Sequence, residues 1–65
     1  MDARDIPFCY RPMAAARSLD ISRSQIFKLL KSGEIRCFKV GAATLISADE
    51  LKRWVERQER QTRYE

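Results

Sequence analysis

The chain contains no histidine and only two cysteines, Cys9 and Cys37, among its 65 residues. A structural zinc site usually requires about four histidine or cysteine ligands, and a disulfide framework requires more than two cysteines. The composition therefore predicts no metal site and no cofactor. It favours two reduced cysteines that act as small hydrophobic side chains.

The patterns that mark an enzyme are also missing. No serine or cysteine lies in a recognisable arrangement with a general base, and the glycines Gly33 and Gly41 form no phosphate-binding loop. Asp49 and Glu50 are adjacent carboxylates, but a helix N-terminus explains them through its capping box and its dipole. We therefore predict no catalytic residue.

No apolar run in the sequence approaches the length of a membrane span, and the N-terminus lacks the pattern of a signal peptide. These absences favour a soluble, cytoplasmic protein with no membrane partner. A chain of 65 residues forms at most one domain, and such a domain buries only a modest fraction of its surface.

The net charge of +4 is distributed unevenly along the chain. Residues 1–47 contain eight basic and four acidic side chains, whereas residues 48–65 contain five of each. A basic excess confined to one part of a chain favours a polyanionic partner.

Residues 22–33 carry signals for both ends of one short helix. Ser22 is a suitable N-cap, and Gln25, three residues later, completes a capping box. Gly33 supplies the left-handed residue at which a helix ends. Three apolar residues of the segment form one stripe: Ile26, Leu29 and Leu30. The basic and polar residues lie on the other side, an arrangement that suits a helix entering the major groove of DNA.

A helix of small residues is predicted immediately before this one, over residues 13–19. Pro12 fits its first turn, because the N–H that proline lacks would have no helical partner there. Asp20 tolerates the left-handed conformation needed to leave the helix, and the next helix begins two residues later. Two short helices joined by so tight a turn must cross, which is the helix-turn-helix arrangement.

After Gly33 the apolar residues change from a helical period to an alternating one. Residues 35–40 and 44–46 predict two short strands, separated by Gly41 and the alanines that follow it. The strands form a β-hairpin, or wing, that needs the helices for support.

The last predicted helix repeats the earlier start signal. Ser47 is its N-cap, and Glu50 completes the capping box. An apolar stripe docks this helix on the core: Leu51, Trp54 and Val55. Beyond the stripe, oppositely charged residues four positions apart indicate an exposed helical extension. They are Glu56 with Arg60 and Glu59 with Arg63.

Together these elements predict a mainly α fold with a small β-hairpin, a winged helix-turn-helix of three helices plus a two-stranded wing. The expected organisation is a flexible N-terminal arm over residues 1–9, the winged helix-turn-helix domain over residues 10–56, and a charged helical extension over residues 57–65.

A set of short motifs across residues 10–56 matches a known family. They are Ala15-Ala16, Leu19, Ile21-Ser22-Arg23-Ser24, the pair Ile26 and Leu30, Gly33-Glu34-Ile35, Phe38-Lys39-Val40-Gly41, and Ile46-Ser47 followed by Leu51. In these motifs the chain resembles the small excisionase-type DNA-binding domains related to the MerR superfamily. The resemblance implies double-stranded DNA as the partner. It also implies a recombination directionality factor, or a small transcriptional regulator, of a phage or mobile element.

Two features depart from the family pattern. Ala14 stands where family members often carry an acidic residue, and the wing tip lacks the basic residues often found there. The tip is Gly41-Ala42-Ala43-Thr44. We expect it to contact phosphates through backbone N–H groups and the Thr44 hydroxyl, or to contact a neighbouring protein.

The candidate DNA-binding residues of the second helix are Ser22, Arg23, Ser24, Gln25, Phe27 and Lys28. Lys28 can donate to guanine and Phe27 can press on a thymine methyl, with core packing as the competing interpretation of Phe27. Gln25 is expected mainly to cap its own helix. Five basic residues are candidate phosphate clamps, with ordinary solvated charges as the alternative: Arg11, Arg17, Lys31, Arg36 and Lys39.

The leading hypothesis is an accessory factor that binds short sites near a recombination end, where a separately encoded integrase (a tyrosine or serine recombinase) assembles. One small domain buries a limited DNA interface, so cooperative self-association on DNA is expected. The alternative within DNA binding is a transcriptional regulator of an integrase or transfer gene. The alternative from a different class is a protein-interaction module built on the winged helix.

Overall fold

A computed structural model describes residues 8–62 of the chain. Six elements follow one another within this range: β1 (Cys9–Tyr10), α1 (Pro12–Leu19), α2 (Arg23–Ser32), β2 (Phe38–Val40), β3 (Ala43–Ser47) and α3 (Ala48–Gln61). These three helices and their small antiparallel sheet confirm the predicted winged helix-turn-helix architecture.

The turn between α1 and α2 is built by backbone bonds around Asp20. Asp20 lies in the left-handed region, at φ 57° and ψ 44°, as predicted for the residue that ends α1. Its N–H donates to the carbonyl of Arg17 at 3.2 Å, and the N–H of Ile21 donates to the carbonyl of Ala16 at 2.9 Å. This pair of bonds is a Schellman motif, and it turns the chain so sharply that α2 crosses α1.

Both predicted ends of α2 are confirmed. The Ser22 hydroxyl accepts a hydrogen bond from the N–H of Gln25 at 3.1 Å. Gly33 ends the helix at φ 84°, with its N–H donating to the carbonyl of Leu30. The capping box is only half formed, because within the described chain the Gln25 side chain makes no return bond to Ser22.

The central strand of the sheet is β3, with β1 on one side and β2 on the other. Three antiparallel pairs join β2 to β3: Phe38 with Leu45, Lys39 with Thr44, and Val40 with Ala43. Gly41 and Ala42 form the turn between them, and the φ of 62° at Gly41 suits the first position of a type II′ turn. The wing tip is therefore shorter than predicted, because Ala43 and Thr44 belong to β3.

The extended run predicted over residues 35–40 forms a strand only in its second half, and the three residues of β2 agree with the predicted strand length. Ile35 is completely buried, and its N–H donates to the carbonyl of Leu29 at 3.2 Å. Residues 33–37 therefore form the loop before β2, and pairing with β3 starts only at Phe38.

Strand β1 was not predicted. Cys9 pairs with Ser47 and Tyr10 with Ile46, which makes the two-stranded wing part of a three-stranded sheet. The carbonyl of Phe8 also accepts the N–H of Ala48 at 2.8 Å. The last two residues of the predicted arm are thus bound to the domain, and residues 1–7 lie outside the described part of the chain.

One hydrophobic core unites the helices and the sheet. Its buried members come from α1, α2, the loop before β2, β3 and α3: Ala15, Ala16, Ile26, Ile35, Ile46 and Leu51. Partly buried side chains surround them: Tyr10, Leu19, Ile21, Leu29, Leu30 and Trp54. The predicted stripe of α3 is confirmed for Leu51 and Trp54 but is wrong for Val55, which is more than a third exposed.

The charged residues of α3 pair differently from the prediction. Glu56 and Arg60 form no ion pair within residues 8–62, and Arg63 lies beyond this range. The carboxylate of Glu50 instead lies near two arginines of its own helix, Arg53 at 3.3 Å and Arg57 at 3.9 Å.

Candidate nucleic-acid interface

The two sides of α2 face different surroundings. Ile26 is completely buried in the core, and Leu29 and Leu30 pack beside it. The predicted recognition residues are all exposed: Ser22, Arg23, Ser24, Gln25, Phe27 and Lys28. The core thus fixes the helix from one side and leaves its polar side facing outwards.

The polar side of α2 is not used to hold the fold together. Across the described residues, the side chains of Arg23, Ser24 and Lys28 make no hydrogen bond or ion pair with another element. The Ser22 hydroxyl serves its own helix as the N-cap. The basic and polar groups of this surface therefore remain able to bind a ligand.

Phe27 lies outside the core. Its side chain is 44% exposed, and it is not one of the buried residues that form the core cluster. The guanidinium carbon of Arg23, one turn earlier on α2, lies 5.8 Å from the centre of the Phe27 ring. This geometry is a cation–π contact on the exposed side of the helix. It argues against core packing as the role of Phe27.

The N-terminus of α2 is electrostatically open. No acidic residue lies in its first turn, whereas Asp49 and Glu50 lie in the first turn of α3. The free N–H groups and the positive end of the helix dipole favour an anion at such an end. The start of α2 therefore suits a phosphate group better than the start of α3 does.

The five candidate phosphate clamps are exposed, but they lie on different elements. Arg11 precedes α1, Arg17 lies in its last turn, Lys31 lies in the last turn of α2, Arg36 lies in the loop before β2, and Lys39 is the middle residue of β2. Of these, Lys31 shares a helix with the recognition residues, one turn after Phe27 and Lys28.

The wing presents an apolar surface that the sequence prediction did not identify. Side chains alternate along a strand, so Phe38 and Val40 share a face with Leu45, opposite the face of the buried Ile46. Phe38 is 44% exposed and Val40 is 58% exposed. Lys39 and its partner Thr44 lie on the other face. The alternation was visible in the sequence, but the side of the sheet that packs on the helices was not.

Glu50 is the buried charged residue of the described chain, at 8% exposure, and its surroundings keep it ionised. The backbone N–H of Arg36 donates to its carboxylate at 3.0 Å, and the Arg53 guanidinium donates at 3.3 Å. The hydrogen bond from Arg36 contributes most to lowering the pKa of Glu50; burial opposes it, and Arg53 and Arg57 add to it. Glu50 thus anchors the loop before β2 to α3.

Glu34 makes the second connection between that loop and α3. Its carboxylate accepts hydrogen bonds from the Trp54 indole at 2.9 Å and from the Gln58 amide at 3.3 Å. Its carbonyl accepts one from the Arg57 guanidinium at 3.0 Å. No pattern in the sequence indicated this role for Glu34, because its partners lie more than a dozen residues away.

The described residues contain no group of three cysteine, histidine or carboxylate side chains arranged to hold a metal ion. None of the helices in that range is both long enough and apolar enough to cross a membrane.

Comparison with known proteins identifies the fold family. Residues 10–59 match the helix-turn-helix domain, and because this range covers most of the chain, the protein belongs to that family. No curated protein and no solved structure gives a significant match. The family assignment supports DNA binding, and the exposed polar side of α2 is the surface suited to it.

Proposed function

We propose that this helix-turn-helix protein is a sequence-specific DNA-binding accessory factor of the excisionase type, without catalytic activity of its own. The observation that carries the proposal is the division of α2. Its apolar side is held in the core by Ile26, while its basic side is exposed and makes no hydrogen bond or ion pair with another described element. A recognition helix needs both properties, since a rigid rod places side chains accurately in a groove.

In this proposal α2 enters the major groove with its N-terminal half. Lys28 donates to guanine, Arg23 and Ser24 contact bases or phosphates, and Phe27 lies beside Arg23 on the same side of the helix. Basic residues on the flanking elements contact phosphates: Arg11, Arg17, Lys31, Arg36 and Lys39. The wing tip, Gly41 and Ala42, and the nearby Thr44 lie close to the DNA backbone; none of these residues carries a positive charge.

The excisionase assignment is supported by the sequence motifs shared with excisionase-type domains, which also relate it to the MerR superfamily. In this role the protein binds near a recombination end and helps a tyrosine or serine integrase to assemble. Such a factor acts in the cytoplasm, on the nucleoid when bound to DNA.

We expect several copies to act side by side. A single small domain buries a limited area on DNA, so its affinity alone is modest. The exposed apolar side chains Phe38 and Val40 are the surface of the wing that suits contact with a neighbouring copy.

Two experiments test the proposed function. Footprinting on the DNA that flanks the gene should show short, repeated sites that fill cooperatively, and a single non-cooperative site would contradict cooperative self-association. An excision assay with and without the protein, run beside a promoter reporter, separates the roles. Stimulated excision supports an excisionase, whereas a change in the promoter alone indicates a transcriptional regulator.

A simpler measurement tests DNA binding itself. The protein should bind random duplexes and heparin at low salt, because its basic surface attracts any polyanion. A folded protein that binds neither would contradict DNA binding and favour a protein-interaction module. Lys28→Ala and Lys52→Ala form a matched pair for this test, since both lysines are exposed and only Lys28 lies on α2.

A further inference from the structure

Arg23 and Phe27 form a cation–π pair on the exposed side of α2. They lie one helical turn apart, and the guanidinium carbon is 5.8 Å from the centre of the ring. Arg23 is the first residue of the helix and makes no ion pair within residues 8–62. The ring is 44% exposed and does not belong to the core cluster. The contact with Arg23 is therefore the specific interaction that the structure shows for this aromatic side chain.

The cation–π contact changes what Arg23 can do. A guanidinium held near an aromatic ring keeps its N–H groups available for other partners, while the ring favours a subset of the rotamers of the long side chain. Less conformational freedom is then lost when those N–H groups bind. Within residues 8–62 no aromatic ring supports Lys28, whose ammonium is a point charge on a flexible stem. Of the two cations, Arg23 is the one already ordered for a directional contact.

We propose that Phe27 is a positioning residue, and that the arginine it holds, Arg23, reads a guanine in the major groove. This inference rests on the proposed DNA-binding function. The N-terminal residues of a recognition helix are those that reach base edges, and Arg23 begins α2. The planar fork of an arginine matches the O6 and N7 acceptors of guanine in two parallel hydrogen bonds.

The test begins with a preferred duplex, selected by the wild-type protein from a random library. Affinities are then measured for this duplex and for each single base-pair change. Arg23→Ala should lose the preference for one G·C pair by about tenfold, and Arg23→Lys should lose it while keeping most of the general affinity. Phe27→Leu should weaken the same preference at the same position, whereas Phe27→Trp should keep it because the aromatic face remains.

Chemical changes in the DNA sharpen the assignment. Replacing the selected guanine by 7-deazaguanine removes the N7 acceptor, which should weaken binding by the wild type but not by Arg23→Ala. The double variant Arg23→Ala, Phe27→Leu should discriminate no worse than Arg23→Ala alone, because Phe27 acts through Arg23. Phe27 is exposed, so its variants should keep wild-type stability in urea.

Three results would overturn the inference. If Arg23→Ala weakens all duplexes alike, Arg23 is a phosphate contact. If Phe27→Leu loses discrimination only at a thymine, and replacement of that thymine by uracil has the same effect, Phe27 reads a methyl group directly. If Phe27→Leu leaves every base preference intact, Phe27 does not position Arg23. Failure of the wild type to bind any duplex is a different result, which contradicts the proposed function itself.

Discussion

Helices α2 and α3 begin with the same capping sequence, a serine N-cap followed three residues later by Gln or Glu, but that residue has a different role in each helix. Each has a serine N-cap whose hydroxyl accepts the N–H of the third residue after it, at 3.1 Å in α2 and 3.0 Å in α3. The two helices differ in what the side chain of that third residue does. Gln25 is exposed, whereas Glu50 is buried and accepts the backbone N–H of Arg36.

The difference extends along both helices. The polar residues of α3 hold the fold together, since Glu50, Trp54 and Arg57 all connect this helix to the loop before β2. On the exposed side of α2, Arg23, Ser24 and Lys28 make no such connections within the described chain. Basic residues occur on both helices, but α3 also uses arginines to hold the fold, whereas Arg23 and Lys28 of α2 make no hydrogen bond or ion pair with another described element. Because apolar side chains hold α2 in the core, the charged side chains on its exposed side remain able to bind a ligand.

The largest expected effect tests the two sides of α2 against each other. Ile26→Ala should lower the free energy of unfolding by about 2–5 kcal/mol, because it leaves a cavity in the core. Phe27→Ala, at the next position, should lower it by less than about 1 kcal/mol. Urea unfolding measures both. Ile26→Val, with an expected loss of about 0.5–1.5 kcal/mol, provides a value if Ile26→Ala does not fold. Equal losses from Ile26→Ala and Phe27→Ala would place Phe27 in the core after all.

The next effect compares the two capping boxes. Glu50→Ala should destabilise the fold by about 2–3 kcal/mol, because it leaves the N–H of Arg36 without its partner and removes a charged acceptor. Gln25→Ala is the matched change on α2 and should alter stability by less than about 0.5 kcal/mol. Thermal or urea unfolding of the two variants decides the point. If Gln25→Ala were as destabilising as Glu50→Ala, the side chains of Gln25 and Glu50 would contribute equally to stability, which would contradict the comparison.

Lysine substitutions on α2, β2 and α3 test which of these elements contacts DNA. Lys28→Ala should weaken binding to the preferred duplex by ~1–3 kcal/mol and relax its sequence preference. Lys39→Ala should weaken binding to all duplexes alike and reduce the salt dependence. Lys52→Ala, on α3, should change neither. Titrations against preferred and random duplexes at several salt concentrations give these values. A loss from Lys52→Ala as large as that from Lys28→Ala would move the interface away from α2.

The smallest effect concerns pH. The folded protein lowers the pKa of Glu50 below the ordinary value of 4.5, so the unfolded chain takes up this proton first as the pH falls. The stability that ionised Glu50 contributes should therefore be complete above about pH 5 and lost progressively below the ordinary value of 4.5. Glu50→Gln should remove this part of the acid sensitivity, whereas Glu56→Gln, an exposed control on α3, should retain it. Parallel acid unfolding curves for wild type and Glu50→Gln would contradict the assignment.

The regions that sequence analysis predicted well are those with local causes. The ends of α1 and α2 follow from Asp20, Ser22 and Gly33, because a cap or a left-handed residue acts on the backbone next to it. The buried position of Ile26 follows from the helical period. Where the chain departed from prediction, at β1 and in the loop before β2, distant segments contribute contacts: Cys9 and Tyr10 pair with β3, and the N–H of Arg36 donates to Glu50.

The features of the candidate site also have either local or tertiary causes. The sequence alone determined that α2 has an apolar and a basic side, since residue order and helical geometry suffice for that. Only the tertiary structure decided that the basic side stays exposed, that Phe27 lies outside the core, and that Glu50 turns inwards to Arg36. Helical geometry relates residues one turn apart, but packing against the sheet and the loop selects which side chains are buried.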